Sequence, residues 1–314
     1  MVDRYSLENP TTDFSNMERL VSCIKLMRPK HWAKNSFLFI PLFFAGKLLD
    51  FDRVQLLLQG FVAFSLIASS IYIINDYRDI EKDRMHPEKS KRPLASGAVS
   101  KPLALALFFT LVAVGGTVAF FLSPKFLFIL GIYFFLNVAY TFGLKNVSIL
   151  DMIIVSAGFV LRIKAGGAAG DVGTSEWLTV MIFLLAMFMT IAKRRDDVLL
   201  KIGSGKDMRK VVKSYNMDYL NILLAIIGAI TIVSYIVYTV TPAVHIRFDT
   251  HRLYYTALFV IAGIMRYLQL VFIDNDSGSP TKILYKDRFI QGAILCWILS
   301  FYFIIYFPNI QIFE

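Results

Sequence analysis

The strongest constraint on this chain is a series of nine long apolar runs that recur along nearly its whole length. They fall at about Ser36–Leu49, Val54–Ile74, Leu103–Leu122, Phe126–Phe142, Ile149–Ile163, Trp177–Ala192, Tyr219–Val240, Leu253–Ile273 and Phe289–Phe307. A helix needs about 20 apolar residues to cross the hydrocarbon core of a bilayer. Two of the nine runs are short by that measure and the others are near it. Of the 314 residues 56% are hydrophobic, with 28 Phe and 15 Tyr, which is more apolar surface than one soluble core of this size buries. The expected fold is an all-α membrane protein, with nine transmembrane helices in a single bundle that makes one domain of residues 1–314.

Charge sets the expected orientation. Lys and Arg are retained on the cytoplasmic side of a membrane. Most of the 33 in this chain lie before the first run or after the second, fourth, sixth and eighth. The N-terminal segment of residues 1–35 is therefore expected in the cytoplasm, with the C-terminus outside. The net charge of +10 then concentrates on one face, which attracts anions. The first run starts at Ser36 and no small-residue cleavage site follows it, so it is expected to remain in the mature protein. Cys23 and Cys296 are too few and too distant for a disulfide framework or metal cluster. No nucleic-acid partner is expected.

Directly after the second run comes "NDYRDIEKDRMHPEKSKRPLASG", Asn75 to Gly97. If the preceding helix continues for two more turns, Asp76, Asp79 and Asp83 stand at i, i+3 and i+7 on one stripe. Asn75 lies a turn below Asp79 and adds a neutral oxygen donor. Such oxygens suit a hard cation, and Mg²⁺ typically takes one or two carboxylates plus water and substrate phosphates. Arg84, Lys91 and Arg92 follow in a loop where Pro87 and Pro93 stop a helix. A loop of that kind can close over a phosphate, with Arg holding two oxygens at once. The other reading is a solvated helix end whose mixed charges mark the cytoplasmic side.

"NDYRDIEKD" with "KRPLASG" resembles the first signature of the UbiA superfamily of intramembrane prenyltransferases. The resemblance implies a nine-helix bundle in which two aspartate-rich cytoplasmic motifs hold Mg²⁺ and a prenyl diphosphate. By position it makes Asn75, Asp79 and Asp83 the catalytic metal and diphosphate residues, with Asp76 adjacent to the metal. The second motif departs from the family pattern. Members usually carry Asp-x-x-x-Asp after the sixth span, whereas this chain has "IAKRRDDVLLKIGSGKDMRK". One acidic and one basic cluster would hold a metal-bound diphosphate and a further phosphate without its own metal. Phosphoribosyl pyrophosphate has both features.

The chain resembles more closely the decaprenyl-phosphate phosphoribosyltransferase branch of that superfamily, through "LMRPKHWAKNSFLFIPLF", "AYTFGLK", "VLRIKAGG", "AKRRDD", "KSYNMDYL" and "KDRFIQGAI". This likeness implies that Lys34, Asn35, Lys145, Lys193, Arg194 and Tyr215 line the polar cavity, and that Asp197 is a second metal-proximal acid. Tyr140, near the inner end of the fourth run, joins the substrate-binding set; otherwise it is an interface aromatic. Arg28 and Lys30 read as interface anchors. Asp151, inside the fifth run, is costly there and points to a cavity role with Lys145 as a partner. Arg162 reads as structural or as a contact to the lipid carrier. "AGGAAG", Ala165 to Gly170, reads as a turn or close-packing site. His86, His245 and His251 show no partners at ligand spacing and His31 stands next to Trp32, so none of the four points to a metal site.

Together these readings point to an enzyme of the plasma (inner) membrane whose active site faces the cytoplasm. A phosphate oxygen of a polyprenyl phosphate would attack C1 of phosphoribosyl pyrophosphate in line, invert that centre and release pyrophosphate. The nucleophile is already anionic, so no general base is needed. The alternatives are a prenyl transfer onto an aromatic or other small acceptor, and a transporter or lipid-binding protein without turnover. A homo-oligomer is among the assemblies the chain allows.

Overall fold

The structure is a computed structural model and describes residues 16–204, 210–273, 283 and 286–307. Among the described residues all regular structure is helical. The α-helices are α1 Asn16–Met27, α2 Ile40–Phe44, α3 Phe51–Arg78, α4 Ile80–Arg84, α5 Lys101–Leu122, α6 Pro124–Phe142, α7 Leu150–Ala169, α8 Glu176–Ser204, α9 Met217–Val240, α10 Pro242–Phe248, α11 Ala257–Phe272 and α12 Arg288–Tyr306. Eight helical segments are long and apolar enough to cross a membrane: α3, α5, α6, α7, α8, α9, α12 and Leu253–Phe272, which contains α11.

The ninth expected span is where structure and expectation differ. Ser36–Leu49 is not one helix: a 3-10 stretch, Pro29–Phe39, leads into the five-residue α2. Pro41 stands in the first turn of α2, and the chain leaves it through Gly46 at φ +68°. The run is too short to span as one regular helix, and Pro and Gly divide it further.

The helix starts follow local chemistry. Ser100 caps α5, with its hydroxyl accepting from the Leu103 amide at 3.4 Å, and a proline stands in the first turn. Asn216 caps α9 at 2.8 Å and Asp287 caps α12 at 2.9 Å. Arg266 of α11 donates to the same Asp287 carboxylate at 2.8 and 3.1 Å. That guanidinium, helped by the Ile290 amide, holds the Asp287 carboxyl below its usual range despite an opposing effect of burial.

The chain divides into two compact units, one of Met1–Ser36 with Gln59–Leu127 and one of Phe37–Leu58 with Phe128–Glu314. The core of the first gathers Leu26, Ile73, Ile80, Leu94 and Leu111. In the second, α8 packs against α7 and α9, and α11 packs against α12. Its core has one cluster around Met187, Phe188, Leu220 and Val271 and another around Tyr235, Phe248 and Phe301.

The glycines of "AGGAAG" are packing positions. A Cβ on Gly166 would stand 2.0 Å from the Leu38 carbonyl oxygen, and one on Gly167 would stand 2.5 Å from Thr174 Cγ2. Leu38 of the 3-10 stretch can lie against α7 only because Gly166 has no side chain, and Gly167 leaves the same room for Val172 and Thr174 of the segment that follows the helix. Gly166→Ala is expected to destabilise the protein by about 1–3 kcal/mol through overpacking, read as a lower thermal-unfolding midpoint in detergent. Gly116→Ala, inside α5 and meeting nothing within 4 Å, is the control and should not lower the midpoint.

Candidate functional site

In the first unit the aspartate-rich segment is not one unbroken helix, as the sequence reading assumed. Helix α3 ends at Arg78, Asp79 adopts φ −94° and ψ 8°, and α4 begins at Ile80. Those angles lie in the sparsely populated bridge region. The amide ladder still carries across the break, from Asp79 to the Asn75 carbonyl at 3.1 Å and from Asp83 to the Asp79 carbonyl at 2.8 Å. Asn75, Asp79 and Asp83 thus remain one turn apart.

Asp76 and Asp83 are both buried, and two arginines neutralise them. Arg28 donates to both Asp76 oxygens from Nη2, at 2.6 and 2.8 Å. Arg92 Nη1 bridges the two carboxylates, at 3.0 Å to Asp76 and 2.7 Å to Asp83. Burying one charge of such a set without its partner would cost several kcal/mol. Arg28 is the residue that sequence reasoning missed. It follows α1 at φ +55°, next to Pro29, with its guanidinium 5.0 Å from the Tyr72 ring centroid. Nothing in "RPKHW" points across 48 residues to Asp76, although two buried carboxylates in sequence do call for more than one cation.

The other expected residues of this unit are placed differently. Arg84 is exposed and holds its own loop, with Nε donating to the Ala95 carbonyl at 3.2 Å and Nη1 to Glu81. Lys91 and Lys34 are exposed, whereas Asn35 is buried with Nδ2 donating to Ser65 Oγ at 2.9 Å. Nearby, Trp32 donates to Ser69 Oγ at 3.0 Å, which in turn donates to the Met27 carbonyl at 2.8 Å.

Among the described residues no group of three or more His, Cys, Asp or Glu forms a metal cage. The expected three-carboxylate set is therefore spread out: Asp76 and Asp83 share one guanidinium nitrogen, and Asp79 sits at the break between them. This open set of hard oxygen donors fits a Mg²⁺ ion that takes only one or two carboxylates and completes its shell with water and phosphate oxygens.

In the second unit Arg194 of α8 is 2% exposed and Asp151 of α7 is fully buried. Arg194 Nε donates to Asp151 Oδ2 at 2.5 Å and Nη1 donates to Asp197 Oδ2 at 2.8 Å. Tyr215 donates to Asp151 Oδ1 at 2.7 Å and accepts from the Ile149 amide at 2.6 Å. Ile149, the cap residue just before α7, has φ +68°, a strained position for a β-branched residue, and the Tyr215 hydroxyl satisfies its amide. Burial, with the bond to Asp151, pushes the Tyr215 phenol up, so it stays protonated and acts as a donor.

Tyr140 lies within electrostatic reach of Arg194. Lys145 is half-buried in the 3-10 turn Leu144–Asn146, and Lys193 is exposed. Arg195 is buried, with Nε donating to Asn221 at 2.8 Å and its guanidinium 5.3 Å from the Phe272 ring centroid.

Two further residue sets differ from, or refine, the sequence reading. His245 and His251, read as partnerless, meet with their Nδ1 atoms 3.0 Å apart. Arg162 is buried in packing: it donates to the Gly158 carbonyl at 2.8 Å and Tyr133 Oη at 2.9 Å, and it lies 4.9 Å from the Tyr133 ring centroid.

Eight apolar helical segments of spanning length, with carboxylates and guanidiniums paired near helix ends, define a multi-pass membrane protein equipped to handle charged groups. The chain belongs to the UbiA prenyltransferase family, which residues 36–203 match. It is 34% identical to a decaprenyl-phosphate phosphoribosyltransferase of Mycolicibacterium smegmatis, over 90% of this chain and 92% of that one. A decaprenyl-phosphate phosphoribosyltransferase of Corynebacterium glutamicum is 31% identical over 90% of this chain and 86% of its own. The fold is similar to that of a UbiA homolog from Archaeoglobus fulgidus bound to GPP and Mg²⁺, with a TM-score of 0.64 and 19% identity over 91% of this chain and 99% of that one.

Asp151→Asn should strip Arg194 of a buried counter-charge and cost about 3–5 kcal/mol, against about 0.5–1.5 kcal/mol for Tyr215→Phe, the worth of a single hydrogen bond. Thermal unfolding in detergent checks this ranking. Equal midpoints for wild type and Asp151→Asn would mean that the pair does not support the fold.

Proposed function

We propose that the protein transfers 5-phosphoribose from phosphoribosyl pyrophosphate to a membrane polyprenyl phosphate such as decaprenyl phosphate, with release of pyrophosphate. The observation that carries this reading is the near full-length likeness to two decaprenyl-phosphate phosphoribosyltransferases. The charged residues support it. The donor has a diphosphate at C1 and a monophosphate at C5, and the chain has one aspartate-rich set and one dominated by Lys and Arg.

We assign the diphosphate and Mg²⁺ to Asp79, Asp83, Asp76 and Asn75. Bound there, Mg²⁺ would supply neutralisation of the departing pyrophosphate. Arg28 and Arg92 orient Asp76 and Asp83 and offset their charge in a buried setting. Lys193 and Lys145 are assigned to the 5-phosphate. Arg194 is a positioning residue here, because Asp151 and Asp197 occupy its Nε and Nη1. Asp197 is correspondingly held by a guanidinium, so a second metal at that residue is not part of the proposal.

In the reaction a phosphate oxygen of the lipid forms a bond to C1 of the ribose. The C1–O bond to pyrophosphate breaks, and its electron pair leaves with pyrophosphate. Attack is in line and inverts C1, and the anionic nucleophile requires no proton acceptor. Tyr215, kept protonated, is no base. The site is assigned to the cytoplasmic face of the plasma membrane, where the water-soluble donor arrives and the apolar tail of the acceptor stays among helices.

The test uses the detergent-purified protein with ribose-labelled phosphoribosyl pyrophosphate, a polyprenyl phosphate and Mg²⁺. Label should enter the organic phase and should not do so after chelation. Asp79→Ala and Asp83→Ala should each lower turnover by at least about 100-fold, on the scale of losing a metal-supported leaving group. Consumption of a prenyl diphosphate with an aromatic acceptor, and no transfer of ribose label, would replace the proposal with prenyl transfer.

Lys193→Gln should raise KM for phosphoribosyl pyrophosphate by about tenfold, one lost charge-assisted phosphate contact, and leave KM for the lipid in place. Equal rises in both KM values would remove Lys193 from the donor phosphate.

A further inference from the structure

A second cluster of cations lies at the far end of the second unit. Helix α7 starts beside Asp151 and ends at Ala169, so its two ends are about 30 Å apart at 1.5 Å per residue. At the Ala169 end the structure has a cleft of about 510 Å³ lined by Lys47, Arg53, Asp171, Thr174, Ser175 and Arg247, among others. Its three cations come from three separate segments: the turn after α2, the first turn of α3 and the end of α10.

Two of the cations are anchored by the backbone. Arg53 Nη1 donates to the Gly170 carbonyl at 2.9 Å and the Asp171 carbonyl at 2.5 Å, while Nε pairs with Asp50 at 3.1 Å. Arg247 Nη2 donates to the Phe44 carbonyl at 3.0 Å. These contacts satisfy helix ends that have run out of amide donors. They also hold two guanidiniums beside one cleft with donors to spare, since each has five N–H groups. Lys47 is exposed and is held in the turn by its amide, which donates to the Leu42 carbonyl. Counting Asp50 and Asp171 against the three cations still leaves an excess of positive charge.

The surroundings indicate where a matching anion comes from. Leu49 and Phe51 are each 78% exposed and Ile246 is 83% exposed, and all three flank cleft residues in sequence. Trp177 and Tyr238 pack together at the same end of α8 and α9, with ring centroids 6.3 Å apart. Large exposed apolar side chains beside Trp, Tyr, Lys and Arg are the composition of a membrane interface. Thr174 and Ser175 add hydroxyls to the lining.

We infer that this cleft is a binding site for a phosphate group, supplied by the headgroup of an anionic phospholipid in the leaflet away from Asp151. The phosphate lies among Lys47, Arg53 and Arg247, with Thr174 or Ser175 donating, and the acyl chains lie along Leu49, Phe51 and Ile246. No group is transferred there.

The experiment is native mass spectrometry of the full chain in detergent, titrated with phosphatidylglycerol or with phosphatidylcholine, for wild type, Lys47→Gln and the double variant Lys47→Gln/Arg247→Gln. Phosphatidylglycerol adducts should form on wild type in preference to phosphatidylcholine adducts. Their apparent affinity should fall by about fivefold for each cation removed, while adducts of phosphatidylcholine do not change. Lys47→Gln alone keeps the test valid if loss of the Arg247 contact to Phe44 prevents folding.

A parallel arm measures thermal unfolding with inorganic phosphate. If phosphate raises the midpoint of wild type more than that of Lys47→Gln, and phosphatidylglycerol shows no preference, the cleft takes phosphate from solution and the lipid assignment is overturned. Equal phosphatidylglycerol binding by wild type and variants, with no phosphate effect, overturns the site itself. Neither arm involves ribose transfer, so the result stands apart from the proposed reaction.

Discussion

An ionised side chain among apolar helices is stable only when an opposite charge meets it at hydrogen-bond distance, and this requirement governs the polar parts of the molecule. Arg194 is the clearest case. Its guanidinium lies between Asp151 of one helix and Asp197 one turn along its own, with Tyr215 on the other oxygen of Asp151. The pairing joins α7 and α8 at the end where the chain turns through a strained Ile149. Much of the local geometry of the second unit follows from satisfying that one buried carboxylate.

The first unit solves the same problem with the charges exchanged. There a guanidinium of Arg92 lies between two carboxylates, and Arg28 completes the neutralisation of Asp76. The ion pairs make the aspartates tolerable in a buried setting without consuming every oxygen lone pair. Under the proposed assignment, carboxylates oriented in this way would meet a metal-bound diphosphate with little rearrangement, the electrostatic preorganisation that departure of pyrophosphate calls for.

Positions without side chains matter as much as the charges. Gly166 and Gly167 let backbone segments approach α7 at distances no Cβ would permit. Close approach of this kind substitutes for hydrophobic drive between helices in lipid, where one apolar neighbour is as good as another. Both glycines lie in the last turn of α7, and Gly167 packs against Val172 and Thr174 of the cationic cleft, so packing and surface charge meet at that end of the helix.

The sequence by itself determined what is set by composition and local spacing. Apolar runs of spanning length predicted eight of the helices, because the length of a helix in a bilayer is a count along the chain, although α7 and α8 continue past their runs, from Ile163 to Ala169 and from Ala192 to Ser204. The turn-by-turn stacking of Asn75, Asp79 and Asp83 was legible for the same reason, as was the charged composition of "AKRRDD". Only the tertiary structure decided the pairings. Arg28 reaches Asp76 across 48 residues, Arg194 takes Asp151 across 43, and Tyr215 meets Asp151 across 64. His245 and His251 meet because the chain turns back at Asp249, with φ +48°. Partner choice among many Lys, Arg, Asp and Glu depends on which helix faces which, and no periodicity within one helix contains that information.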